Sequence, residues 1–133
     1  MTSEAAGPEG LLLCDDLIFT SRITGTARGL GLTVRAARSA DELVELARQA
    51  PPRGVLFDLS NPGLALPELL RRLAEACPAL PRVVAYGSHV DTATLRAARE
   101  AGCDPVLPRS KFVEELPRAL PQWLSAPLSS GQS

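Results

Sequence analysis

The sequence predicts an α/β domain with a five-stranded parallel sheet, strand order 2-1-3-4-5, and helices on both faces. Three observations lead there. Five short strand-like runs alternate with five stretches of helical period, and such alternation builds βα units around a parallel sheet. Three of the runs, centred on Leu12, Leu56 and Val84, are apolar without interruption, as strands covered on both faces must be. The other two carry edge marks: one alternates in polarity and the last holds two prolines. Right-handed crossovers leave few orders for five such strands. The order 2-1-3-4-5 puts the first, third and fourth strands inside and the second and fifth at the edges.

The elements follow in turn. Residues 1–9 read as a disordered tail, 10–124 as the folded domain and 125–133 as a second tail. Gly10–Cys14 is the first strand. A helix from about Phe19 to Gly29 places Ile23, Ala27 and Leu30 on one face, and Leu32–Ala36 alternates as a half-buried strand. Ser39 and Glu42 have the spacing of a capping box, opening a helix with Leu43, Leu46 and Ala47 inward. Pro51-Pro52 ends that helix. Gly54–Phe57 is the third strand, ending in Asp58, and Asn61-Pro-Gly63 signals a turn. Pro67 suits the first turn of a helix reaching Ala76. Arg82–Tyr86 is the fourth strand. Ser88 or Asp91 caps the next helix, which runs to Ala101 with Gly102 just past its end. Asp104–Pro108 is the fifth strand, confined to an edge by its prolines. The last helical stretch, Phe112 to Leu124, contains Pro117 and Pro121 and is expected to be kinked or split.

Composition narrows the function. At 133 residues the chain is one domain, large enough to bury a core without metal or disulfide staples. Its 14 basic and 15 acidic residues give a net charge of −1, without the basic footprint of a nucleic-acid module. No apolar run is long enough to span a membrane, and the acidic start is unlike a signal peptide. Cys14, Cys77 and Cys103 are odd in number and widely spaced, so neither a disulfide framework nor a zinc site is indicated. The cytoplasm is the expected compartment.

In an open parallel sheet, sites form beyond the carboxyl ends of the strands, where the strand order reverses. Here that crevice lies between the first strand, ending Cys14-Asp15-Asp16, and the third, ending in Asp58. Three carboxylates meeting there repel one another unless a cation joins them or a pKa rises. A hard divalent ion, Mg²⁺ above all, is the natural partner. The competing reading gives each aspartate a purely local role, in which Asp15 or Asp16 caps the first helix and Asp58 caps a turn.

Leu11-Leu-Leu-Cys-Asp15-Asp16, Val55-Leu-Phe-Asp58-Leu-Ser-Asn-Pro62-Gly and Gly102-Cys-Asp-Pro-Val-Leu-Pro-Arg109-Ser together resemble the receiver domain of two-component response regulators, over about residues 10–124. The resemblance implies a flavodoxin-like fold and a Mg²⁺ site of Asp15, Asp16, Asp58 and the carbonyl of Ser60. It implies that Asp58 accepts phosphate from a histidine kinase, with Ser88 and Arg109 as the phosphate contacts. The last third departs from the pattern. Gly87 stands where the strand-four hydroxyl residue is expected and Ser88 comes one residue late. Arg109 replaces the usual lysine, Ser110 the following proline, and Val106 the aromatic switch residue. Arginine binds phosphate as a planar fork and is no geometric substitute for lysine.

The function expected is a stand-alone, atypical receiver domain in phosphorelay signalling, acting by protein contact with a histidine kinase or other signalling protein. The alternative is a pseudo-receiver, an interaction or dimerisation module independent of phosphate. An enzyme is not expected. Asp58-Leu-Ser60 lacks the second acid of an Asp-based phosphohydrolase, and Asp15-Asp16 would repel a flavin phosphate. Homodimer or partner contacts are expected through Val106, Phe112, Val113, Leu116 and Trp123 near the sheet edge. His89, the one histidine, reads as an ordinary loop residue, and Cys14 as a small core hydrophobe.

Overall fold

The computed structural model of the chain describes residues 7–61 and 64–125. Strand β1 (Gly10–Leu13) leads into helix α1 (Leu17–Gly29), β2 (Val34–Ala37) into α2 (Ala40–Gln49), and β3 (Gly54–Asp58) into α3 (Leu66–Ala76). Then come β4 (Arg82–Gly87), α4 (Thr92–Ala101), β5 (Val106–Pro108) and α5 (Arg109–Trp123). The five strands form one parallel sheet in the order β2-β1-β3-β4-β5, as the apolar runs and edge marks predicted.

Strand periodicity divides the core into two layers. Leu11, Leu13, Val55, Phe57, Val83 and Ala85 point to one face, where α2, α3 and α4 bring Leu43, Val44, Ala47, Leu69, Leu73, Leu95 and Ala98. Leu12, Cys14, Leu56, Val84 and Tyr86 point to the other, covered by Ile23 and Ala27 of α1 and by Phe112, Leu116, Leu120 and Trp123 of α5. Because β1, β3 and β4 are covered twice, each residue of β1 and β3 is buried. No helix among the described residues is long and apolar enough to cross a membrane.

Local signals behave as their chemistry demands. Ser39 Oγ accepts from Glu42 N at 3.1 Å, while Glu42 Oε1 reaches back to Arg38 N at 3.0 Å. Between Ser88 and Asp91, it is Asp91 that caps α4, accepting from Thr94 N at 3.2 Å. Gly102 ends α4 at φ 112°, a backbone conformation open to glycine. Gly54 starts β3 under the end of α5, where any Cβ would collide with the Trp123 carbonyl oxygen.

Several expectations are corrected. Helix α1 begins at Leu17, and Leu30 is its exposed C-cap rather than part of the buried face. Val44 takes the inward place given to Leu46, which is only partly buried. Glu9 is not tail: its carbonyl accepts from Arg53 N at 2.8 Å and its side chain from Thr33 N at 2.7 Å, tying it to the strands on either side. Residues 1–6 and 126–133 of the two tails, and Pro62-Gly63 of the turn, lie outside the described residues.

The largest correction concerns α5, which is one continuous helix through Pro117 and Pro121. Both prolines are exposed, on the solvent side of the helix. An interior proline costs about 3 kcal/mol. Burying a large apolar side chain returns about 1.5–3 kcal/mol, and Phe112, Leu116, Leu120 and Trp123 all lie buried on the opposite side. That burial also removes the expected dimer face: Val106, Phe112, Leu116 and Trp123 are each at most 5% exposed, and Val113 packs against the α1–α5 layer. All are core: Val106 lies in the layer covered by α4, and the others hold α5 to the sheet.

Candidate functional site

The carboxyl ends of β1, β3 and β4 meet at one edge, with β5 handing directly into α5 beside them. Asp58 ends β3, paired in register with Tyr86 of β4. Its residue is only 6% exposed. A buried carboxylate must find donors, and this one has several. Oδ1 accepts from Ser60 N and Ser60 Oγ, each at 2.9 Å, and the Arg109 guanidinium lies 3.5 Å away. Oδ2 accepts from the Cys14 thiol at 3.5 Å.

Arg109 is the first residue of α5, immediately after β5. Its Nη2 donates to Ser60 Oγ at 3.0 Å. The guanidinium carbon lies 5.8 Å from the Phe19 ring centre and 5.9 Å from that of Tyr86, within reach of the negative ring faces. The arginine is thus held by a carboxylate and a hydroxyl on one side and two aromatic rings on the other.

The acidic pair separates. Asp16 is the N-cap of α1, its Oδ1 accepting from Phe19 N at 3.0 Å. Asp15 is exposed. A local role therefore describes Asp16, and in part Asp58, whose Oδ1 also organises the turn at Ser60. Among the described residues no three His, Cys, Asp or Glu side chains come together to hold a metal ion. The sequence brings Asp15, Asp16, Asp58 and Ser60 to one edge of the sheet, but as arranged they do not fit a divalent ion. Asp58 Oδ1 already accepts two donors of Ser60 and Oδ2 the Cys14 thiol, and the cap holds Oδ1 of Asp16.

Ser88 is engaged in its own turn, its Oγ accepting from Val90 N at 3.3 Å and its carbonyl from Asp91 N at 3.0 Å. It shares with Arg109 the lining of an open cleft of about 550 Å³, together with Ile18, Arg22, His89 and Ser110. Gly87 offers no hydroxyl. A Cβ there would lie 3.4 Å from Leu59 and Leu95, and Val106 is buried against the α4 layer.

Two participants escaped the sequence. Cys14, read as a small hydrophobe, is buried but turns its thiol onto Asp58. Its place beside an acidic pair at a strand end was the available signal. Tyr86, read only as strand, stacks on Phe112 with ring centres 4.3 Å apart and lies 5.1 Å from Phe19. Burial, reinforced by the nearby charge of Asp58, pushes its phenol above the usual tyrosine range. Its hydroxyl is buried near the Cys14 side chain, without a partner at full hydrogen-bond geometry among the described residues.

No family model matches the chain. The transcriptional activator protein ExaE of Pseudomonas putida is 34% identical over 96 residues, 70% of this chain and 44% of that protein. The match therefore spans under half of that relative's length. Among solved structures, the receiver domain of NtrX from Brucella abortus superposes with a TM-score of 0.73 at 22% identity, covering 86% of this chain and 97% of that one. A putative response regulator from Chloroflexus aurantiacus J-10-fl gives 0.73 at 24% identity, covering 89% and 98%. The receiver domain of Ssk1 from Saccharomyces cerevisiae, solved with the histidine phosphotransfer protein Ypd1, belongs to a complex that matches at 0.64 and 18% identity, covering 85% and 92%. With its parallel 2-1-3-4-5 sheet and these matches, the chain has the fold of response-regulator receiver domains.

Proposed function

We propose that this chain is a receiver domain in phosphorelay signalling that acts by protein contact, with Asp58 as its phosphoryl acceptor. One observation carries the reading: a buried carboxylate at the end of β3 faces a cation supplied from the end of β5. In the transfer, Asp58 Oδ attacks the phosphorus of a phosphohistidine or a small phosphoryl donor. A P–O bond forms, the P–N bond of the donor breaks, and the leaving nitrogen takes a proton from solvent. Arg109 spreads its donors over the phosphoryl oxygens, as a guanidinium fork does well. The exposed Ile18 of the cleft and Val90 of the β4–α4 loop supply apolar contact for a partner at the same edge. The solved complex of a similar receiver with a histidine phosphotransfer protein supports a partner of that class.

The test is intact-mass measurement after incubation with phosphoramidate. We expect a gain of one phosphoryl group, removed by hydroxylamine and absent from Asp58→Asn. A chain that gains nothing overturns the acceptor role.

A second reading has its own support. Both oxygens of Asp58 are already engaged, Gly87 carries no hydroxyl and Val106 no ring. These features suit a pseudo-receiver whose edge binds its partner without phosphate. An unlabelled chain that still binds a signalling partner, unchanged by Asp58→Asn, is the outcome that favours it.

A further inference from the structure

We propose that Arg109 is the resident counter-ion of Asp58 and excludes a divalent cation from the site. The proposal shares with the functional reading only the premise that Asp58 is the central carboxylate. It does not require that Asp58 be phosphorylated.

The geometry puts Arg109 on the two residues that a metal would have to share. Its Nη2 lies 3.5 Å from Asp58 Oδ1 and donates to Ser60 Oγ at 3.0 Å. Ser60 N and Oγ add two further donors to the same Oδ1, and the Cys14 thiol covers Oδ2. A hard cation needs oxygen lone pairs turned toward it, and Mg²⁺ demands a near-ideal octahedron. Here hydrogens of protein donors point at those lone pairs. Of the other candidate ligands, Asp16 commits Oδ1 to capping α1, and Asp15 is exposed.

The cation is also fixed in place. The Phe19 and Tyr86 rings back the guanidinium at 5.8 and 5.9 Å, and α5 starts at this residue. Lys111, the one lysine of the chain, turns to Glu114 and Glu115 instead, with Nζ 4.0 and 3.6 Å from their carboxylates. A dication arriving at Asp58 would meet a guanidinium within a few ångströms in a half-buried setting, where like charges repel strongly. Arginine stays charged at all accessible pH values, so the exclusion holds across the physiological range.

The experiment is Mn²⁺ binding to the full chain, followed by the electron paramagnetic resonance signal of free Mn²⁺. Five proteins are compared: the parent, Asp58→Asn, Arg109→Gln, Arg109→Lys, and Arg109→Gln combined with Asp58→Asn. Arg109 is 41% exposed at its side chain, and circular dichroism checks that each variant folds. We expect no saturable binding by the parent at millimolar Mn²⁺. Arg109→Gln should bind about tenfold more tightly or better, from the removal of one adjacent positive charge. The added Asp58→Asn should abolish that gain, and Arg109→Lys, which keeps the charge, should stay near the parent. Saturable binding by the parent that Asp58→Asn removes would overturn the proposal. So would an Arg109→Gln protein that binds no better than the parent.

The phosphoryl-labelling test is independent. A chain that never labels but shows this Mn²⁺ pattern loses the acceptor role and keeps its counter-ion. A chain that labels only when Mg²⁺ or Mn²⁺ is present keeps the acceptor role and loses the counter-ion.

Discussion

Tyr86→Phe should stabilise this protein, although it alters a fully buried residue beside the candidate site. The ring is packed against Phe112 at 4.3 Å and Phe19 at 5.1 Å, and phenylalanine keeps both contacts. What disappears is a hydroxyl that is buried near the Cys14 side chain and has no partner at full hydrogen-bond geometry among the described residues. A polar group carried into the interior unpaired costs about 1–3 kcal/mol. The void left by one oxygen, roughly 10 Å³, returns only about 0.2 kcal/mol of that at 24 cal/mol per Å³. The balance is a gain of about 1–2.5 kcal/mol, and a domain of this size gains about 4 °C in Tm per kcal/mol. Urea unfolding of parent and variant, monitored by circular dichroism at constant m-value, measures it. A loss of 1 kcal/mol or more, on that order, would refute the reasoning. It would mean that the hydroxyl donates to Asp58 or to Cys14, and the phenol would then join the site as a working donor.

Two further outcomes separate local from shared roles. Asp16→Ala should cost about 1 kcal/mol by removing the cap on Phe19 N, whereas Asp16→Asn, which can still accept that bond, should cost a few tenths; equal losses would count against a pure capping role. Burial pushes the Cys103 thiol up to about 11 from 9.0. The folded state therefore holds its proton where the unfolded chain has released it. The contribution to stability is whole below pH 9.0 and is lost as pH rises through about 11. Unfolding free energies across that window should fall by at most about 2 kcal/mol from this group, and Cys103→Ala should flatten the decline.

The legibility of the fold has a simple origin. Strands buried on both faces require uninterrupted apolar runs, so Leu11-Leu-Leu, Val55-Leu-Phe and Val83-Val-Ala announce the interior of the sheet. The prolines at 105 and 108 exclude the last strand from that interior, because they cannot donate to a ladder on both sides. Caps are equally local: Ser39 with Glu42, and Gly102, act within a few residues of themselves. The alternation of elements then makes the carboxyl edge of β1 and β3 the place where Asp15, Asp16 and Asp58 must arrive.

What the aspartates do on arrival was not legible, because it depends on partners far along the chain. Arg109 reaches Ser60 across 49 residues and Cys14 reaches Asp58 across 44. No spacing rule links such residues. The continuity of α5 likewise required knowing that its four large side chains find a sheet to cover, which outweighs two prolines that local preference treats as breaks. Sequence by itself determined which elements form and which edge they offer, since those rest on periodicity and short-range hydrogen bonding. Only the tertiary structure decided that the Cys14 thiol and the Ser60 hydroxyl turn onto Asp58, because the partner of a buried charge is set by whichever donors the packing brings within a few ångströms.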